Sequence, residues 1–94
     1  MEIKWLRKAA ANLEAEYLDI AQDAPQAARQ FVDEVQRVTG LLPQQPAMGR
    51  PCRVPGTREL VLMYYFCIIS YRVKDNMLQI LRVFHTRRRL PSQW

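Results

Sequence analysis

Apolar and polar residues alternate over Met1 to Trp5, with Ile3 and Trp5 on one side and Glu2 and Lys4 on the other. That period of two predicts a short strand. Between Arg7 and Gln22 the period changes. Leu13, Tyr17, Ile20 and Ala21 recur at helical spacing, while Glu14, Glu16 and Asp19 fall off the stripe. Ala9, Ala10 and Ala11 add helix propensity. Asp23-Ala24-Pro25-Gln26 then marks a stop and a restart. Asp23 is placed to cap a second helix, Gln26 stands where a capping box needs it, and Pro25 suits the first turn. The second helix is expected to run to about Thr39, apolar at Ala28, Phe31, Val32, Val35, Val38 and Leu42, with Gly40 as its stop. Two amphipathic helices joined by so short a turn are antiparallel neighbours.

The second half reads differently. Leu42 to Met48 is a proline-bearing loop, and Arg50 to Val54 is a short strand, interrupted by Pro51 and suited to a sheet edge. Pro55-Gly56-Thr57 is a turn. Arg58 to Leu62 alternates, with Leu60 and Leu62 on one face and Glu59 and Val61 on the other. Phe66 to Val73 is rich in aromatic and β-branched residues and reads as a central strand. Lys74-Asp75-Asn76 is a tight turn, and Met77 to Phe84 is a last strand, apolar at Leu78, Ile80, Leu81, Val83 and Phe84. The expected class is α+β: an N-terminal strand, an antiparallel αα-hairpin, then a three- to four-stranded antiparallel β meander with the hairpin on one face. Arg53, Arg72 and Arg82 fall in the expected strands. A charge is costly to bury unpaired, so some of them should point to the open face.

Ninety-four residues suit one domain, residues 1–94. No apolar run reaches the length of a membrane span, and the N-terminus lacks the apolar core of a secretion signal, so the chain is expected in the cytoplasm. Cys52 and Cys67 are too few for a disulfide framework and, with one His in the chain, give no metal-ligand spacing. No cofactor or metal is expected. Charge changes the picture more. Residues 1–49 hold five Lys/Arg against seven acids, a net −2; residues 50–94 hold nine against two, a net +7. The basic half ends in Arg87-Arg88-Arg89, followed by Leu90-Pro91 and a terminal Trp94 whose large ring is expected to pack on the sheet or on a partner. Such asymmetry suits an anionic partner: RNA, DNA or an acidic protein segment.

Several stretches together resemble one family. Gly49-Arg50-Pro51-Cys52-Arg53-Val54-Pro55-Gly56-Thr57-Arg58-Glu59-Leu60-Val61, the strand Ile69-Ser70-Tyr71-Arg72-Val73, and Ile80-Leu81-Arg82-Val83-Phe84-His85 with Arg87, Leu90 and Pro91 are similar to the RelE/ParE toxin superfamily, ParE-like toxins above all. The resemblance implies the fold just described and a toxin of a type II toxin–antitoxin system. RelE-like members cut messenger RNA on the ribosome, whereas ParE-like members inhibit DNA gyrase and trap its cleaved DNA complex. Both are held silent by a cognate antitoxin in a hetero-oligomer.

RNA cleavage needs a base, cations on the phosphate, and an acid for the leaving oxygen. The sheet position where RelE-type enzymes place an arginine falls near Cys67 or Ile68, their lysine-rich strand is replaced by Arg50 and Arg53, and no Tyr follows Tyr71. That leaves His85 as proton carrier with Arg53, Arg72 and Arg82 as phosphate holders, an incomplete set. The resemblance therefore favours a gyrase inhibitor with no catalytic residues, its target contact formed by Arg87, Arg88, Arg89, Arg53 and Arg82. The ribosome-dependent ribonuclease is the alternative, and a fold that only binds antitoxin is a third reading. Among other residues, Arg58 is expected in a cross-strand salt bridge, and Tyr64, Tyr65 and Phe66 in the core.

Overall fold

The computed structural model describes residues 1–86. Along the chain the elements are β1 (Glu2–Trp5), α1 (Arg7–Ala21), α2 (Pro25–Leu41), β2 (Arg50–Pro51), β3 (Arg58–Leu62), a single 3-10 turn at Met63–Tyr65, β4 (Cys67–Lys74) and β5 (Met77–His85). The five strands form one sheet in the order β1-β5-β4-β3-β2. Strands β2 to β5 make the antiparallel meander. Strand β1 joins the far edge, parallel to β5, with Ile3 beside Leu78 and Trp5 beside Ile80. The sheet is therefore mixed, because the αα-hairpin carries the chain across it between β1 and the meander.

One core lies between the sheet and the hairpin. Phe31, Val35 and Leu42 from the second helix and its end meet Ile69, Tyr71, Leu78, Ile80 and Val83 from the two central strands, all fully or almost fully buried. Ile3, Trp5, Leu60 and Leu62 pack around them, as the strand alternation required. β4 and β5 are joined through Asp75 and Asn76, both left-handed at φ 54° and 58°, as a two-residue type I′ hairpin turn needs.

Four local expectations need correction. The second helix does not stop at Gly40 but runs to Leu41. Gly40 is exposed with open space around it, so it is tolerated, and burial of Leu42 holds the last turn down until Pro43 ends it. Asp23 is not the cap. Its amide and that of Ala24 both bond back to the Ile20 carbonyl, so the N-cap falls on Ala24 and no side chain caps the helix. Glu16 is buried at 7% exposure, although it lies off the predicted apolar stripe; α1 packs on both β5 and α2, which widens its covered face. The first meander strand is only Arg50–Pro51, so Arg53 sits in the bend after it and not in a strand. Pro51 and Pro55 offer no amide to extend the pairing.

Candidate functional site

Strand parity sorts the charges of the sheet. Ile69 and Tyr71 face the helices, so Ser70 and Arg72, which alternate with them, face the open side. Arg72 Nε donates to Gln79 Oε1 across the pair at 2.7 Å. On β5 the alternation slips. Ser70 stands opposite Arg82 while Tyr71 stands opposite Ile80, so Leu81 is the extra residue of a β-bulge. The bulge lets Ile80 and Val83 both enter the core, and it turns Leu81 and Arg82 toward the open side together.

There they meet two other segments. Leu6 follows β1, its amide donating to the Ile80 carbonyl at 3.1 Å, and brings the start of α1 alongside. Residues Cys52, Val54 and Thr57 come from the loop between β2 and β3. Together they enclose a cavity of about 430 Å³ with apolar walls from Leu6, Val54 and Leu81 and a rim of Arg7, Lys8, Arg72 and Arg82. Among the described residues no carboxylate lines it. Arg7 and Lys8 occupy the first turn of α1, which holds no acid. Cations there oppose the helix dipole by a few tenths of a kcal/mol each, and they raise the positive potential of the cavity.

The loop that closes this cavity is tied down at both ends. Tyr71 Oη accepts from the Gly49 amide at 2.8 Å and donates to the Pro46 carbonyl at 2.7 Å. Burial pushes the Tyr71 phenol upward, with the Gly49 bond and Arg58 pulling the other way. Arg58 donates to the Gly49 carbonyl at 2.8 Å, so it is not in the expected salt bridge. That role falls to Arg50, whose Nε lies 2.7 Å from Glu59 Oε1. The other Glu59 oxygen accepts weakly from the Cys52 thiol at 3.6 Å. Gly56, at φ 80°, makes the turn between the two strands.

The sequence-predicted residues are thus divided. Arg72 and Arg82 come together on the open face, and Arg53 stands exposed between two cavity residues, Cys52 and Val54. His85 stands opposite Cys67, whose side chain is in the core, so it belongs to the helix side of the sheet, with its ring centroid 6.2 Å from that of Phe66. His85 is thus on the face opposite Arg72 and Arg82. Cys67 itself is a buried thiol pushed up to about 12 by burial first and the nearby Glu16 second, which makes it unreactive. Of the aromatic trio, only Tyr65 packs on the core, edge-on to Phe31; Tyr64 and Phe66 are both exposed. Arg87, Arg88, Arg89 and Trp94 lie outside the described residues. Among the described residues no group of His, Cys, Asp and Glu is placed to hold a metal, and no helix is long and apolar enough to cross a membrane.

Sequence reasoning missed Arg7, Lys8, Ser70 and Leu81. Two signals were available: a pair of cations where a helix start favours acids, and the doubled apolar pairs Ile80-Leu81 and Val83-Phe84, which break strand alternation as a bulge does.

Comparison with known proteins agrees with this architecture. Residues 3–90 match the family described as "ParE toxin of type II toxin-antitoxin system, parDE". A Sinorhizobium fredii protein named "Putative toxin Y4kP" is 36% identical over 90 residues, covering 96% of this chain and 93% of that protein. Among solved structures, a chain of the chromosomal ParDE toxin–antitoxin system from P. aeruginosa is 37% identical, with a TM-score of 0.81 over 90% of this chain and 95% of that one. A chain of the RelBE2 toxin–antitoxin complex from Mycobacterium tuberculosis is 22% identical with a TM-score of 0.60, over 89% of this chain and 95% of that one, and shares the fold.

Proposed function

The chain belongs to the ParE toxin family of type II toxin–antitoxin systems, and on that premise we propose that it inhibits DNA gyrase by docking, without making or breaking bonds, and that a cognate antitoxin silences it. The supporting observation is the division of the sheet. Its open face gathers Arg72 and Arg82 with Arg7 and Lys8 around a cavity that, among the described residues, no carboxylate or imidazole lines, while His85 sits on the other face. Guanidinium groups hold anions well but keep their protons at any pH below roughly 12, so they are poor acids and bases. Such a face suits binding.

In this reading Arg53 and Arg82 form the target contact together with Arg87, Arg88 and Arg89, and residues 1–94 act as one toxin domain in the cytoplasm, where gyrase works. The antitoxin lies across the helical hairpin and the sheet edge as a hetero-oligomer. A groove between α1 and α2, lined by Trp5, Leu13, Tyr17 and Val32, offers it an apolar seat.

The test is a gyrase supercoiling reaction run beside a translation reaction whose messenger RNA is mapped for cuts. Loss of supercoiling with intact RNA is the expected result. Cuts on the ribosome with normal supercoiling would move the assignment to the ribonuclease. Replacing Arg87, Arg88 and Arg89 with Ala should abolish inhibition and leave the melting temperature unchanged; retained inhibition would remove them from the contact.

A further inference from the structure

Ser70 is only 5% exposed and lines the open-face cavity, yet its hydroxyl has no hydrogen-bond partner among the described residues. A buried hydroxyl left unpaired is costly, and a ligand that bonds it removes the cost. Four cations surround the same space. Arg72 commits Nε to Gln79, which leaves its two terminal nitrogens free to reach a ligand. Arg82 is turned into the cavity by the bulge. Arg7 and Lys8 stand in the first turn of the 15-residue helix α1, where the dipole disfavours them and which holds no acid of its own. The volume of about 430 Å³ falls within the span typical of small-ligand pockets, roughly 300–1,000 Å³.

We propose that this cavity is a binding site for a terminal phosphate, a phosphomonoester carried on a partly apolar body. Such a group brings nearly two negative charges and three acceptor oxygens to a cluster of four cations and a hydroxyl. A single carboxylate, with one charge and two oxygens, would leave most of those donors unanswered. The phosphate meets Arg82, Arg72 and Ser70, with Arg7 and Lys8 closing over it. The body of the ligand rests on Leu6, Val54 and Leu81; among the described residues no aromatic ring lines the wall, so these hold it by aliphatic contact and not by stacking. The site shares Arg82 with the proposed target contact but does not rest on that reading, and a chain inert toward gyrase would still bind.

Amide chemical shifts of the full chain, followed at constant ionic strength, provide the test. The probes are inorganic phosphate, adenosine 5′-monophosphate, adenosine, and a DNA hexamer with and without a 5′ phosphate. Saturable shifts at Ser70, Leu81 and Arg82 are expected with the phosphorylated probes and none with adenosine. Ser70→Ala and Arg82→Gln should each weaken binding about tenfold, the size of one hydrogen bond to a charged group. Arg37→Gln, on the exposed side of α2, should not. A response to the monophosphate assigns the group to a small molecule, and a response confined to the phosphorylated hexamer assigns it to a nucleic-acid end; both support the site. Equal responses to the two hexamers, binding that survives both Ser70→Ala and Arg82→Gln, or no saturable shift with any probe would overturn it.

Discussion

Gly49 is the position where one methyl group should do the most harm. A Cβ built there would lie 2.6 Å from Tyr71 Oη, 2.7 Å from Tyr71 Cε1 and 2.8 Å from the Glu59 carbonyl. None of the three can yield cheaply. The Tyr71 side chain is 1% exposed in the core, and the Glu59 carbonyl belongs to the sheet. Gly49→Ala therefore forces a shift in a packed region, costing about 1–3 kcal/mol. It also pulls the Gly49 amide from Tyr71 Oη, adding about 1 kcal/mol. A total of about 2–4 kcal/mol lowers the melting temperature of a domain this size by roughly 10–25 °C. Thermal unfolding followed by circular dichroism measures it. Tyr71→Phe removes the nearest clashing atom and both hydrogen bonds, at about 1–3 kcal/mol alone. Because the two residues touch, the double variant should cost less than the sum of the singles. A shift below about 3 °C for Gly49→Ala, or strict additivity in the double variant, would refute the reasoning.

Three further outcomes follow from the same structure. Burial raises the Cys67 thiol from 9 to about 12 in the folded chain, so the unfolded chain alone loses that proton as pH climbs above 9. Stability is then complete below pH 9 and falls by about 1.4 kcal/mol per pH unit toward 12; urea midpoints at pH 8 to 11 should show the decline, and Cys67→Ala should flatten it. Asn76 is left-handed at φ 58°, so Asn76→Gly should raise the melting temperature by a few degrees and Asn76→Val should lower it, since a β-branched residue meets about 1–2 kcal/mol of strain there. Deleting Leu81 removes the extra residue, so Ile80, Arg82 and Val83 should alternate regularly with Arg82 still opposite Ser70 on the open face; native-state hydrogen exchange should find β4 and β5 as protected as in the native chain, and lost protection would contradict this register.

What the sequence revealed was what period and turn chemistry control. The strand Arg58–Leu62 and the Asp75-Asn76 turn are where alternation and turn residues put them, because each is decided by neighbours in the chain. The αα-hairpin was legible for the same reason, though its ends were not: a buried Leu42 overrode Gly40, and back-bonding to Ile20 bypassed Asp23. The site was legible only in part. Arg72 and Arg82 could be expected on an open face, since neither could be buried unpaired. Arg7 and Lys8 join them only because β1 pairs in parallel with β5, a long-range choice that leaves no trace in local spacing. His85 and Arg82 fall on opposite faces by plain alternation, and the one-residue slip at Leu81 puts Arg82, not His85, on the face of Arg72.

That separation gives the most direct test of the central claim, that the chain acts on gyrase through its open cationic face and not by proton transfer at His85. The measurement is inhibition of gyrase supercoiling by the native chain, Arg82→Gln and His85→Ala, each confirmed folded by its melting curve. The account predicts that His85→Ala inhibits as the native chain does, and that Arg82→Gln needs about tenfold more protein, the size of one lost charged contact. Full inhibition by Arg82→Gln together with an inert His85→Ala would contradict it.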